Sequence, residues 1–294
     1  MRPRFLPLIA LFLAALPQAN AQSAAAKRDD SAAEKLGWHL ATKAYTFRNI
    51  TLFETIDVSK ELGVKFFEMN PNQVISKEIA DKVDDKLSPE LRNAIKKKFA
   101  DAGIQPVQFG VAQLGKNEAS ARKIFTLCKD LGIQTIVAEP DPELFTAPAI
   151  LDKLCQEFQI NVAIHNHPEP NRYATPEKVL EAISGHDKRI GSCSDVGHYT
   201  RTGLSAVESL RKMQGHIITL HFKDVDDKKK DVPWGTGKTD VRGMLDELHR
   251  QKYQGYFSME YEVGKETSQD DLINQLRQSI TYFDNEAKRI AGGH

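Results

Sequence analysis

The chain is poor in cysteine and tryptophan, carries no surplus of either charge, and has a single long apolar run. Each shortage excludes something. The 294 residues include three cysteines, Cys128, Cys155 and Cys193. An odd number leaves at least one unpaired within a single chain, and the spacing fits neither a disulfide framework nor a zinc ribbon. They read as small buried apolar residues, with a Cys128–Cys155 bridge open in an oxidising compartment. Lys plus Arg total 40 and Asp plus Glu total 40, so there is no broad cationic footprint for nucleic acid. No Gly-rich phosphate turn follows the first β-prone segment: after Phe47 the chain reads RNITLFETI. That argues against an open dinucleotide-binding sheet.

The apolar run is at the N-terminus. In MRPRFLPLIALFLAALPQANA, Arg2 and Arg4 precede an apolar stretch from Leu6 to Leu16, and Ala19-Asn20-Ala21 is a small-x-small site. This is the pattern of a secretory signal peptide over residues 1–21. The run is shorter than the roughly 20 residues a membrane-spanning helix needs. No stable membrane anchor is therefore expected, and a periplasmic or extracellular location is. The leader holds two arginines and no acid, so the following 273 residues carry 38 basic and 40 acidic side chains. Residues 22–36 are polar and Ala/Ser-rich, and read as a flexible lead-in. Residues 37–292 then form one domain.

That domain alternates β-prone runs with amphipathic stretches. Strands are expected at 38–47, 65–70, 105–110, 135–140, 161–167, 190–198, 217–225 and 255–262. Helices are expected at 88–102, 117–131, 148–159, 240–252 and about 270–290, where stripes such as Leu91, Ile95 and Phe99 recur at helical spacing. Ser88-Pro89-Glu90 and Thr175-Pro176-Glu177 are helix starts. Leu62-Gly63, Ala102-Gly103 and Leu131-Gly132 are helix stops. Eight alternations in this length indicate an α/β fold, a single (β/α)₈ TIM barrel.

Active groups in such a barrel sit where its strands end. The polar residues there are Glu68, Glu139, His165, His167, Asp195, His198, His221, Lys223, Asp224, Glu260 and Glu262. Parity sharpens the pattern, since side chains alternate faces along a strand. Ala163, His165 and His167 share one face, as do Thr219, His221 and Lys223, and Ser258, Glu260 and Glu262. The bulky Val162, Ile164, Leu220, Phe257 and Met259 take the other. Any one of these residues alone reads as a surface acid or a hydrogen-bonded filler. Together, four of the nine histidines meet at least four carboxylates on one rim. Buried charges do not gather without compensation, and a divalent metal ion compensates them. Mixed imidazole and carboxylate ligands suit Mn²⁺, Mg²⁺, Co²⁺, Fe²⁺ or Zn²⁺.

The runs Asp195-Val196-Gly197-His198, Leu220-His221-Phe222-Lys223-Asp224 and Ser258-Met259-Glu260 resemble the xylose isomerase-like TIM-barrel superfamily, the sugar phosphate isomerase/epimerase group. Val232-Pro233-Trp234-Gly235-Thr236-Gly237 resembles that group's Gly-x-Gly loop after the seventh strand. The resemblance covers nearly all of the chain after the leader. It implies one metal ion held by Glu, Asp, His and Glu from consecutive strands, and assigns Asp195, His221 and Glu260 to three of those places. Where the first Glu is usual, this chain has His165. The nearest carboxylate, Glu139, is expected as the fourth ligand, with His165 beside it or replacing it.

The chemistry implied is proton abstraction beside a carbonyl, with Glu260 and His165 or His167 as base and acid and Lys223 neutralising developing charge. His198 and Glu68 are expected to contact substrate. Trp234 either stacks on a sugar ring or anchors its loop. The substrate expected is a small, non-phosphorylated carbohydrate, because export separates the protein from sugar phosphates. Isomerisation or epimerisation is the first reading. A lyase, dehydratase or 3-keto-glycoside-cleaving reaction uses the same first step, and a non-catalytic sugar-binding barrel is a third possibility. A homo-oligomer is left open.

Overall fold

The structure, a computed structural model, describes residues 28–146, 149–264 and 266–292. The expected signal peptide and residues 22–27 of the expected lead-in lie outside the described residues. Eight parallel strands close a barrel: β1 (Trp38–Lys43), β2 (Phe66–Met69), β3 (Gln105–Ala112), β4 (Thr135–Ala138), β5 (Asn161–His165), β6 (Ile190–Asp195), β7 (Ile217–Phe222) and β8 (Gly255–Met259). Each pairs with its neighbours in sequence, and β8 closes onto β1. A two-residue ribbon, Asp224–Val225 against Asp231–Val232, stands above β7. The fold is the (β/α)₈ barrel expected.

The pleat sorts side chains into two environments. Leu220, Phe222, Phe257 and Met259 face outward and are buried beneath the helices, where Phe257 lies 5.3 Å from Trp38 and 5.1 Å from Phe283, ring centre to ring centre. The alternate positions face the lumen. There Ser258 donates to Gln108 (2.8 Å) and to Glu68 (2.6 Å), and Gln108 donates to Thr219, tying four strands together across the barrel.

The helix starts follow their sequence signals. Ser88 accepts from the Leu91 amide at the head of the helix Pro89–Ala102, and Thr175 from the Lys178 amide at the head of the helix Pro176–Ile183. Gly103 and Gly132 adopt the left-handed conformation that stops the helices Pro89–Ala102 and Glu118–Leu131. The last helix, Gln269–Ala291, and those at Ile150–Phe158 and Val241–Arg250 lie where expected.

Three expectations are corrected. Residues 31–36 are not a flexible lead-in but a helix, Ser31–Leu36. Ala33 is buried, and Arg28 pairs with Asp284 of the last helix at 2.6 Å. The first strand stops at Lys43 and continues as a 3₁₀ turn, Ala44–Phe47. The sixth stops at Asp195, because that side chain caps a short helix, Val196–Arg201. The cysteines are all free and fully buried, so Cys128 and Cys155 are not bridged. Burial pushes the Cys155 thiol up to about 12.

Candidate metal centre

The residues expected at the rim converge at one end of the barrel. His165 and Asp195 are the last residues of β5 and β6, His221 is next to last in β7, and Glu260 follows β8 directly. The parallel register sets Asp195 beside His221, and His221 beside Ser258.

One atom from each of His165, Asp195, His221 and Glu260 lies within 4.8 Å of the other three, and all four residues are buried. His221 Nδ1 is 3.0 Å from Glu260 Oε2 and 3.8 Å from Asp195 Oδ2, while His165 Nε2 is 3.4 Å from Asp195 Oδ2. Ligands on one ion at about 2.0–2.2 Å stand roughly 3–3.5 Å apart; two of these three separations fall in that range, and the one between His221 and Asp195 is wider. His221 Nδ1 is moreover buried with no hydrogen-bond partner.

The local sequence aims these groups. Asp195 Oδ1 accepts the His198 amide at 2.9 Å as the helix cap, which leaves Oδ2 turned to the centre. Gly197 is required here: a Cβ on it would stand 2.7 Å from the Lys223 chain. Glu68, expected at the substrate, lies under the site instead. It is fully buried and accepts from His221 Nε2 at 2.9 Å, from Ser258, and from Lys43 at 3.2 Å. That bond selects Nδ1 as the nitrogen His221 offers, the usual service of a carboxylate behind a metal-binding imidazole.

Glu139 is placed the same way. Its oxygens are taken by His165 Nδ1 (3.1 Å), by His167 Nδ1 and by Asn171 (2.7 Å). It therefore stands behind His165, outside the four side chains that could hold an ion, and His165 is the fourth of that group. The physical reason is reach: β4 ends one strand away from Asp195, and the His165 ring fills the gap between them.

Electrostatics holds the acids charged. Burial works against the Glu68 carboxylate, but His221 and Lys43 outweigh it and bring its pKa down to about 2. Burial likewise opposes charge on Asp195, and the adjacent Lys223 ammonium overcomes it, keeping its pKa well below the usual value. The Lys223 ammonium stands 2.9 Å from Asp195 Oδ2, 2.9 Å from Glu260 Oε2 and 3.0 Å from Glu262 Oε2. Burial disfavours it, yet Asp195, Glu260 and Glu262 raise its pKa well above an ordinary lysine. It is a fixed cation and neither a base nor a free amine. His198, on the first turn after β6, is pushed down to about 3 by burial, so its ring is neutral. His167 stands at the mouth, its side chain 40% exposed.

One ion-paired chain runs through the centre, from Lys43 and Glu68 through His221, Glu260, Lys223 and Glu262 to Arg201 and Asp231. With Asp195 it holds five carboxylates against three permanent cations. A proton on His221 offsets one of the two surplus charges. A divalent ion offsets both, and its binding requires that proton to leave. The residues present fit such an ion.

Trp234 is not at the mouth. It is 2% exposed, and its ring packs 4.9 Å from Phe222 and 6.1 Å from Phe283 on the outside of the barrel. Its loop is organised by Asp224, which accepts the amides of Gly235 and Gly237 at 2.9 Å and of Thr239 at 3.1 Å. A Cβ at Gly237 would stand 2.3 Å from Asp224 Oδ1. Glycine is there for the carboxylate of Asp224.

Sequence reasoning missed Lys43 and Asn166. Lys43 is a buried lysine at the end of an apolar strand, and that was its signal. Asn166 locks β5 to β6 by donating to the Asp195 carbonyl (3.0 Å) and accepting the Asp195 amide (2.8 Å). Its signal was a polar residue on the outward parity between two histidines.

A sequence model of the xylose isomerase-like TIM barrel matches residues 56–285. The chain belongs to that family. Its members of known structure share the barrel. An uncharacterised protein from Parabacteroides distasonis ATCC 8503 is 30% identical, with a TM-score of 0.69, over 85% of this chain and 99% of its own. A D-psicose 3-epimerase solved with D-fructose is 14% identical, with a TM-score of 0.66, over 87% and 100%. The IolI protein, solved with a zinc atom, is 17% identical, with a TM-score of 0.65, over 85% and 98%. At those two identities the likeness is one of fold. A comparison with curated proteins returns no match.

Within this family member, Trp234 and the ion site are separable. Trp234→Ala is expected to cost about 3–5 kcal/mol of stability, read as a lower denaturant midpoint, with Mn²⁺ affinity by calorimetry unchanged. Full stability with lost Mn²⁺ binding would return the ring to the site.

Proposed function

We propose that this chain is a divalent-metal-dependent enzyme that removes the proton beside a carbonyl of a non-phosphorylated sugar and isomerises or epimerises it. The observation that carries the reading is the buried set His165, Asp195, His221 and Glu260, closed by two surplus negative charges. These four side chains would hold the ion. When bound, it supplies positive charge to the carbonyl and hydroxyl oxygens, where negative charge grows as the proton leaves.

The chain's own groups do the rest. Glu260 stands at the end of β8 with its carboxylate turned to the centre, and takes the proton from carbon. Lys223, fixed on Glu260 and Asp195, keeps that carboxylate in place and spreads positive charge over the site. His167 has its Nδ1 on Glu139, which leaves Nε2 free at the mouth to pass a proton to substrate oxygen or carbon. His198, neutral and buried, is suited to donate a hydrogen bond to a substrate hydroxyl.

One observation favours a second reading. Glu139 is engaged by His165, His167 and Asn171, so it is not available as a second carboxylate for proton transfer opposite Glu260. Imidazoles take the opposite side. That suits a reaction in which His167 protonates a departing oxygen, as in a lyase, a dehydratase or cleavage of a 3-keto-glycoside.

Deuterium exchange separates these outcomes. Incubated in D₂O with Mn²⁺, ketoses and 3-keto-glycosides are expected to gain deuterium beside the carbonyl, and Glu260→Gln to slow this by about 10²–10⁴-fold. An isomeric sugar as product supports the first reading, and release of a leaving group the second. Metal-loaded protein that exchanges no carbon-bound proton in either class would leave a sugar-binding barrel.

We also propose export, on the strength of the signal-peptide pattern of residues 1–21. Intact-mass analysis of protein from the native host should begin at Gln22. A mass that still includes the leader overturns this.

A further inference from the structure

We propose that the barrel mouth carries a second sugar subsite beside the ion centre, lined by Tyr45, Asn70, Val111 and Gln113, and that the substrate is a neutral glycoside of at least two rings. This rests on the proposed function for the ring that carries the reacting carbonyl, and deepens it by naming the substrate class.

The candidate ligands come from only half of the rim. His165, Asp195, His221 and Glu260 stand on or directly after β5 to β8. Beyond the ends of β1, β2 and β3 a cavity of about 350 Å³ opens, at the lower end of the roughly 300–1,000 Å³ of small-molecule sites. One wall is the connection of residues 70–88 between β2 and the next helix, and it is a built wall. The Asn72 amide donates to the Val83 carbonyl at 2.8 Å, and the Val83 amide to the Gln73 carbonyl at 2.9 Å. The Leu52 and Phe53 amides hold the carbonyls of Val74 and Ile75, and the side chains of Ile75 and Val83 are fully buried. Ordered connections at this end of a barrel set substrate choice.

Three links join the cavity to the centre. Asn70 follows Glu68 by two residues, about 7 Å along the chain, and Glu68 accepts from His221. Tyr45 follows Lys43 by two residues, and Lys43 pairs with Glu68 at 3.2 Å. Val111 lines the cavity and packs against Val137, Ala163 and Cys193, and Ala163 shares its lumen face with His165. A second ring attached to a sugar at the centre has this cavity within reach.

The lining suits such a ring. Tyr45 offers a flat apolar face. The Arg48 guanidinium lies over its ring, 4.8 Å from the centre, and is anchored on the Val263 carbonyl, which fixes the platform. The amides of Asn70 and Gln113 both donate and accept, as sugar hydroxyls do. Asn70 gives one hydrogen to the Pro71 carbonyl at 3.0 Å and keeps its oxygen free among the described residues. Asp84 and Asp85 add negative charge, and no lysine or arginine lines the cavity among the described residues. A neutral hydroxylated ring is accepted here, and a phosphate is repelled.

The test is binding to Mn²⁺-loaded full-length protein by ligand-observed NMR titration. The probes are fructose, the ketose disaccharides maltulose, isomaltulose and lactulose, and fructose 6-phosphate. At least one disaccharide is expected to bind about tenfold or more tightly than fructose, the scale on which filled pockets discriminate. Tyr45→Ala, and Gln113→Trp, which fills the cavity from an exposed position, should bring that ratio to about one. Tyr45→Phe should keep it, since the ring and not the hydroxyl is the platform. Unchanged melting of the three variants guards against misfolding. No disaccharide bound more tightly than fructose, a preference that survives both Tyr45→Ala and Gln113→Trp, or fructose 6-phosphate bound more tightly than every disaccharide overturns the subsite. Deuterium exchange into fructose by the same sample then shows whether the proposed function still stands. A disaccharide preference lost in both variants, with no exchange into any sugar, keeps the subsite and overturns the proton-transfer reading.

Discussion

The ammonium of Lys223, buried among Asp195, Glu260 and Glu262, is the contact on which the rest of the centre depends. A bare buried lysine would lose its proton, and three bare carboxylates would gain theirs. Side by side they stay charged. The arrangement then propagates: Glu260 faces His221, His221 rests on Glu68, and Glu68 is held by Lys43 and Ser258. Every member is a lumen-facing residue near the end of a strand, so the closed barrel supplies the geometry and the charges supply the order. A chain of this kind is strongly coupled. Removing one charge strands its neighbours, whereas replacing a side chain outside it, such as Trp234, acts on packing alone.

Substitution of His165 for the acid usual at the end of β5 changes what the centre can do. A carboxylate there would serve the ion and a proton at once. An imidazole fixed through Nδ1 to Glu139 would serve an ion through Nε2 and has no second lone pair to spare. Under the proposed function, proton traffic on that side passes to His167, farther out and more exposed. The family resemblance alone does not show this shift, which lies in how one carboxylate, Glu139, is shared by two rings.

Much of this was legible in the sequence, for physical reasons. Strand parity separated Thr219, His221 and Ser258 from Leu220, Phe257 and Met259, because a barrel has only two faces. Clustering of His and acid at strand ends marked the rim, because such groups are affordable only where they compensate one another. What sequence could not carry was distance between non-neighbouring strands. Glu68 on β2 and His221 on β7 meet across the lumen, and nothing in their spacing of 153 residues says so. Trp234 read equally as a platform or an anchor, since a loop residue's direction is set by its packing partners, here Phe222 and Phe283. His198 reads as strand because the run 190–198 is β-prone; the Asp195 cap ends the strand before it. Residues 31–36 looked flexible by composition, and docking of Ala33 overrode that.

The account stands on a divalent ion completing the charge of the lumen. Elemental analysis of the purified protein beside His221→Ala tests it most directly. One divalent ion per chain in the wild type, absent from a variant that keeps the same circular dichroism, is the predicted result. Wild-type protein that takes up no ion under any loading condition, or a variant that retains a full equivalent, would contradict it.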